Sequence, residues 1–275
     1  MTKKQTLAIT GLLCALLAGC GGGSDDTGQS SSSGRPDFGA WQTTAGGSVY
    51  SFLVGTTGET WGTQIGQNGG TFFLYHGQQT VSSGGGPGIA GSYLSYDLAH
   101  LPAPNTAAAP VSVSYTGQVQ GTTQAQSSLN LVFDGGGALN YSYFNSVPQT
   151  GTQMDFQGSW AGSVRNNLPG SLTSPGTMVV LGNSVSFPAA GPSGCQVTGN
   201  LTQPAPFIGD TAMYLFSGQF SAQCGVQGGV QVGGASITGL VTADPASAVG
   251  GTQNLLMLYA VTTDQQVGMI FIGSQ

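Results

Sequence analysis

An all-β chain, built as two antiparallel β-barrel or sandwich modules in tandem, is predicted by three features of these 275 residues. Apolar and aromatic residues recur at every second position through most of the chain, the spacing of strands with one face turned inward. Glycine supplies 48 residues, and Gly-rich turns separate the alternating runs at near-regular intervals. Beyond the first 20 residues, no stretch carries a sustained 3.6-residue apolar period, so nothing argues for a helix.

The N-terminus is of another kind. A short basic start (Lys3, Lys4) precedes the apolar run Leu7 to Leu17 and the small residues Ala18 and Gly19. That order is a secretory signal, and the run is shorter than the roughly 20 apolar residues a bilayer span needs. Leu17-Ala18-Gly19-Cys20 resembles the lipobox of bacterial lipoproteins. The resemblance covers about 20 residues; the competing reading is an ordinary cleaved signal with an incidental cysteine. It implies cleavage before Cys20, acylation of Cys20 and a stable lipid anchor, since several acyl chains hold where a single one is marginal. Cys14 lies within the signal and would leave with it. Gly21 stands where an Asp would imply retention at the inner membrane, so outer-membrane localisation is expected, with the periplasmic or outward face open.

Residues 1–19 are therefore expected to be signal, 20–36 a flexible tether, 37–150 the first β module and 151–275 the second, with a join near Val147 to Thr152. The tether is Gly/Ser/Asp-rich and lacks apolar residues. Asp25-Asp26 reads as solvated linker rather than as metal ligands.

Composition excludes whole classes of partner. After processing, two basic residues (Arg35, Arg165) face ten acids, a formal charge of −8 with no lysine. Nucleic-acid binding needs clustered Lys or Arg and is ruled out. Charged residues make up 5% of the chain against about 25% in an ordinary soluble domain. The outward strand faces are Ser, Thr, Gln and Asn, which also argues against a lipid-facing transmembrane barrel.

Within the first module, Val49 to Val54 and Thr71 to Tyr75 are β-branched and aromatic. Val111, Val113, Tyr115, Gly117 and Val119 alternate with polar residues; Leu129, Leu131 and Phe133 continue the pattern. Gly135-Gly136-Gly137 turns the chain, and Leu139, Tyr141 and Tyr143 answer from the next strand. Ser82 to Gly88 and Leu101 to Pro110 are expected to be loops. In the second module, Phe156, Gly158, Trp160, Gly162 and Val164 share one face. Further strands are expected at Thr177 to Leu181, Gln196 to Thr202, Met213 to Gln223, Ser236 to Thr242, Gln253 to Val261 and Val267 to Ile272. Roughly eight strands per module suit a small closed barrel, which removes exposed edges.

Two echoes suggest a repeat. Asp37-Phe38-Gly39-Ala40-Trp41 returns as Asp155-Phe156-Gln157-Gly158-Ser159-Trp160, and Tyr115-Thr116-Gly117-Gln118-Val119 returns as Val197-Thr198-Gly199-Asn200-Leu201. Paired tethered barrels are also similar to surface lipoproteins that capture host iron proteins. Their barrel-end phrases are not matched here and lysine is missing, so that resemblance carries no binding residue across.

Cys195 is in phase with Val197 and Leu201, and Cys224 with Phe216 and Phe220. In an exported chain this predicts a Cys195–Cys224 disulfide. Catalytic chemistry finds few carriers. His76 and His100 are the only histidines and Glu59 the only glutamate, no G-x-S-x-G elbow occurs, and neither a metal nor another cofactor is expected. His76 reads as a strand end, His100 as a loop residue, and Asp97, Asp134, Asp210, Asp244 and Asp264 as turn residues. Trp41 and Trp160 are expected in the core. Trp61 is the surface candidate for a ligand contact, and His76 is a second candidate ligand-binding residue. The expected function is non-enzymatic binding of a protein partner or small ligand at the envelope. Alternatives are an inhibitor lipoprotein that neutralises an envelope-targeting effector, and a hydrolase using His76 or Glu59.

Overall fold

The computed structural model describes residues 37–55, 57–67, 70–82, 88–99, 107–121, 127–143, 156–169, 174–189, 194–202, 213–244 and 255–275. The signal, Cys20, the tether, the expected join, His100 and Asp210 lie outside them. The described chain is all-β and forms two closed eight-stranded antiparallel barrels.

In the first, β1 (Gly39–Ala45), β2 (Ser48–Val54), β3 (Glu59–Gly66), β4 (Phe72–Ser82), β5 (Gly88–Asp97), β6 (Val111–Gln120), β7 (Ser128–Phe133) and β8 (Ala138–Tyr143) follow one another around the wall. β8 closes on β1 through Trp41 opposite Tyr143. The second runs β9 (Gly158–Asn166), β10 (Ser174–Leu181), β11 (Ser184–Pro188), β12 (Gln196–Thr202) and β13 (Met213–Phe220). A two-stranded excursion, β14 (Val226–Gln227) and β15 (Val230–Gln231), then precedes β16 (Ser236–Asp244), β17 (Leu255–Thr262) and β18 (Gly268–Ser274), which closes on β9.

Each barrel starts with the same local device. Trp41 Nε1 donates to the Asp37 carbonyl at 2.8 Å, and Trp160 Nε1 donates to the Phe156 carbonyl at 2.9 Å, four residues back in both cases. The turn between donor and acceptor needs a left-handed residue two before the tryptophan, and Gly39 (φ 124°) and Gly158 (φ 115°) supply it. Both indoles are fully buried, as expected. Asp37 thus corresponds to Phe156, and the extra residue of the second phrase falls ahead of this turn.

The second echo does not join equivalent strands. β6 is the sixth strand of its barrel and β12 the fourth. The counterpart of Tyr115-Thr116-Gly117-Gln118-Val119 is Ile237-Thr238-Gly239-Leu240-Val241 on β16, and the register proves it. Gly91 lies opposite Tyr115, two before Gly117; Gly218 lies opposite Ile237, two before Gly239. In a small barrel the bent strands approach so closely that a Cβ at Gly117 would strike the Asn130 carbonyl, and one at Gly239 the Tyr259 carbonyl. An x-Thr-Gly-x-apolar phrase therefore suits any sharply bent inward strand, and its appearance on β12 reflects that shared requirement.

Other expectations shift locally. β1, β3, β5 and β11 and the short β14 and β15 are strands that were not individually expected. β13 stops at Phe220 because the chain enters a 3-10 turn, Ala222–Cys224, completed by Gly225 at φ 56°. Cys224 is nonetheless buried, and the Cys195–Cys224 disulfide forms. The described residues divide into one unit of 37–95 with 111–143, and a second of 96–110 with 156–275. Within the second unit, the β5–β6 connection is secured by its backbone: Ala107 N–H donates to Gly228 at 3.1 Å and Ala108 N–H to Asn167 at 3.0 Å.

The second barrel is packed with apolar side chains, among them Trp160, Met178, Phe187, Phe216, Leu258 and Phe271. Each contributes on the order of 1.5–3 kcal/mol through burial. Val232, from the excursion that follows Cys224, joins that core, so the disulfide fixes a segment that completes it. Replacing both cysteines by serine is expected to lower stability by about 2–4 kcal/mol in urea unfolding, since the bridge closes a loop with a sequence separation of 29.

Candidate functional site

Two arrangements in the first barrel gather polar and aromatic groups. On the outer face, strand pairing sets Trp61 on β3 opposite His76 on β4, and Glu59 two residues before Trp61 on the same face. The indole and imidazole rings lie 4.1 Å apart. Trp61 Nε1 donates to Glu59 Oε1 at 3.1 Å, and His76 Nε2 is 3.2 Å from the same oxygen. The hydrogen bond from His76 is the main influence holding the Glu59 carboxyl below its usual value; burial opposes it, and the His76 charge and the Trp61 bond assist. Trp61 is 2% exposed, so the surface position expected for it is not found. The ring does face outward from the barrel, but it is buried there, with the Glu59 carboxylate and the His76 imidazole against it. Among the described residues, no serine or threonine hydroxyl is hydrogen-bonded to His76. An imidazole is oriented here without a nucleophile in contact.

The second arrangement fills the barrel interior. At the end where β1 begins, Gln79 Nε2 donates to Asp37 Oδ2 at 2.5 Å and Tyr115 Oη donates to Gln79 Oε1 at 2.8 Å, all three side chains being buried. Thr60, inward on β3 opposite Val54, has a buried Oγ1 with no hydrogen-bond partner. Phe156 holds the place of Asp37 in the second barrel, so this polarity belongs to the first barrel alone.

Toward the opposite end, where β1 finishes and β2 starts, the inward positions become phenolic. Tyr75 Oη donates to Gln64 Oε1 at 2.6 Å. Tyr93 stacks obliquely on Tyr75 at 4.6 Å and meets Phe133 edge-on at 6.2 Å; Phe73 stacks on Tyr75 at 6.4 Å. Tyr50, Phe73, Tyr93, Phe133 and Leu139 are half-buried, and Val111, on the inward phase of β6, is 62% exposed. Among the described residues, the hydroxyls of Tyr50, Tyr93 and Tyr141 have no protein hydrogen-bond partner. Burial raises the pKa of Tyr75, Tyr93 and Tyr141, and the neighbouring phenols add to it. The hydroxyls therefore stay neutral at physiological pH. No three His, Cys, Asp or Glu side chains come together as a metal site among the described residues.

Of the residues singled out in the sequence, Cys195 and Cys224 form the disulfide, and Trp61 and His76 meet in the outer cluster. Asp97 accepts from Ala99 N–H at 2.9 Å, and Asp264 accepts from Thr262 Oγ1 at 2.5 Å and Gln266 N–H at 3.1 Å, both as turn residues. The phenolic end was not singled out. Its signal was available in the inward phase of Tyr50, Tyr93, Tyr141 and Phe133, which are brought to one place only by barrel closure. No family model, curated protein or solved structure matches the chain.

A tyrosine with a raised folded pKa stabilises the fold fully below its unfolded value, about 10, and loses that contribution as pH climbs toward the folded value. The first barrel is therefore expected to unfold cooperatively in alkali. Tyrosinate absorbance should rise in one steep step well above pH 10, coincident with loss of far-UV strand signal; gradual independent ionisation would contradict the burial of this cluster.

Proposed function

We propose that this protein is a lipid-anchored module of the outer membrane, without catalysis of its own, that holds a protein partner against the phenolic end of its first barrel. The observation that carries the reading is the set of half-buried rings Tyr50, Phe73, Tyr93 and Phe133, with unpartnered phenol hydroxyls among them. Tyrosine-rich patches of this kind dominate protein interfaces, because a phenol buries a large ring, loses little conformational freedom and keeps a polar tip. The lipobox Leu17-Ala18-Gly19-Cys20 supports the anchor. The chain enters β1 at Gly39, the end of the barrel opposite these rings. A tether over residues 20–36 would then leave the phenolic end as the membrane-distal one.

The two parts are tested separately. Metabolic labelling with a fatty-acid analogue is expected to mark the wild-type chain and not Cys20→Ala; equal labelling of both would remove the anchor. For the binding face, a photoreactive phenylalanine derivative at position 93 should give a discrete cross-linked adduct in intact cells, absent when the same group replaces exposed Ser159 on β9. The double change Tyr50→Ala and Tyr93→Ala should weaken the complex at least tenfold, about 1.4 kcal/mol. An unlabelled band at position 93, or one shared with position 159, would reject this face.

A further inference from the structure

The outer wall of the second barrel carries a depression of about 580 Å³ across β10 to β13 and β16. Strand register arranges its side chains in two rows. In one, Leu181, Ser184, Asn200 and Ser217 stand opposite one another on successive strands; in the other, Val179, Ser186, Thr198, Gln219 and Ser236 do so. Strands lie about 4.8 Å apart, so the polar groups recur at that interval over roughly 10 Å in the first row and roughly 14 Å in the second.

Three properties set this face apart. No lining residue is ionisable. Gln219 Nε2 donates to the Gly234 carbonyl at 2.8 Å, but the hydroxyls of Ser184, Ser186, Thr198, Ser217 and Ser236 and the amide of Asn200 make no hydrogen bond to the protein among the described residues. Leu181, 70% exposed, and Val179 add an apolar border at one side. The barrel plan does not require such a wall. The corresponding third and fourth strands of the first barrel turn Trp61, Phe72 and Leu74 outward, and all three are buried.

We propose that this face is a binding site for a neutral polysaccharide lying across the strands. A sugar chain offers a repeating series of hydroxyls to match the ladder and apolar C–H faces for the Val179 and Leu181 border. The lack of any cation in the lining, together with a chain net charge of −6, disfavours anionic polymers. An extended polypeptide would meet a sheet whose backbone groups are already paired, and would gain only side-chain contacts. The site is independent of the phenolic end of the first barrel.

Affinity electrophoresis of the folded protein in gels containing dextran, mannan, galactan or β-glucan tests this directly. Retardation is expected in at least one neutral polymer and in neither heparin nor polygalacturonate, with little change on raising salt, because no ion pair is involved. Ser217→Trp, which fills the depression, should weaken retardation at least tenfold. The paired change Ser186→Ala and Ser217→Ala removes hydroxyls without adding bulk; it should weaken retardation while the thermal midpoint holds. Thr44→Ala, at an exposed position on β1 of the other barrel, should leave retardation unchanged. Absence of retardation in all four neutral polymers would overturn the proposal. So would retardation equal in wild type and Ser217→Trp, or retardation by the anionic polymers alone.

Discussion

Closing eight short strands into a barrel forces neighbouring backbones together where they bend, and that crowding governs the rest of this structure. On the fourth, fifth and sixth strands of each barrel, one inward position has no room for a Cβ: Gly77, Gly91 and Gly117 in the first, Gly199, Gly218 and Gly239 in the second. Gly199 and Gly218 stand directly opposite each other, and the Phe216 ring lies over both where a side chain would have been. An aromatic residue thus restores the contact area that the glycines give up. The high glycine content is therefore a consequence of curvature, and loop flexibility accounts for only part of it.

Given that common scaffold, the two barrels diverge in what fills them. The second is filled mainly by apolar side chains, with Asn166 a buried polar residue on the inward phase of β9. The first retains a buried carboxylate, a glutamine, an orphaned threonine hydroxyl and a cluster of phenols. Buried polar groups cost free energy unless they are satisfied. The Asp37–Gln79–Tyr115 chain meets that condition at one end, while at the other end the hydroxyls reach solvent. The barrel with the less favourable interior is the one whose open end carries half-buried phenols.

The fold was largely legible from the sequence because alternation survives any register. Phe156, Trp160 and Val164 identify an inward face wherever β9 pairs, and Cys195 and Cys224 identify a bridge from phase alone. The failures share a cause. On β3 and β5 the inward positions Gly62 and Gly91 are glycines, and the inward apolar residues of β5 (Ile89, Tyr93) and β11 (Val185, Phe187) come only in pairs, too few to mark a period. Trp61 looked exposed because its sequence neighbours are polar, whereas its true neighbours, His76 and Leu53, come from β4 and β2. The phenolic end gathers residues from β2, β4, β5, β7 and β8, a grouping that exists only once the sheet has closed.

Scarcity of charge bears on how either exposed face can discriminate. With ten acids and four basic residues in the whole chain, long-range steering of a partner is weak. Affinity at the two proposed faces would then have to arise from ring burial at the phenolic end and from hydrogen bonds to uncommitted hydroxyls on the second barrel. Hydrogen-bonding surfaces of this kind select more sharply than they attract. A ligand that fits the shape but leaves a desolvated hydroxyl or amide unpaired forfeits roughly 1–3 kcal/mol for each such group. An apolar pocket gains only a comparable amount from an entire extra methylene. A neutral surface that relies on many small polar groups therefore binds each one weakly, and its selectivity comes from the match along the whole row.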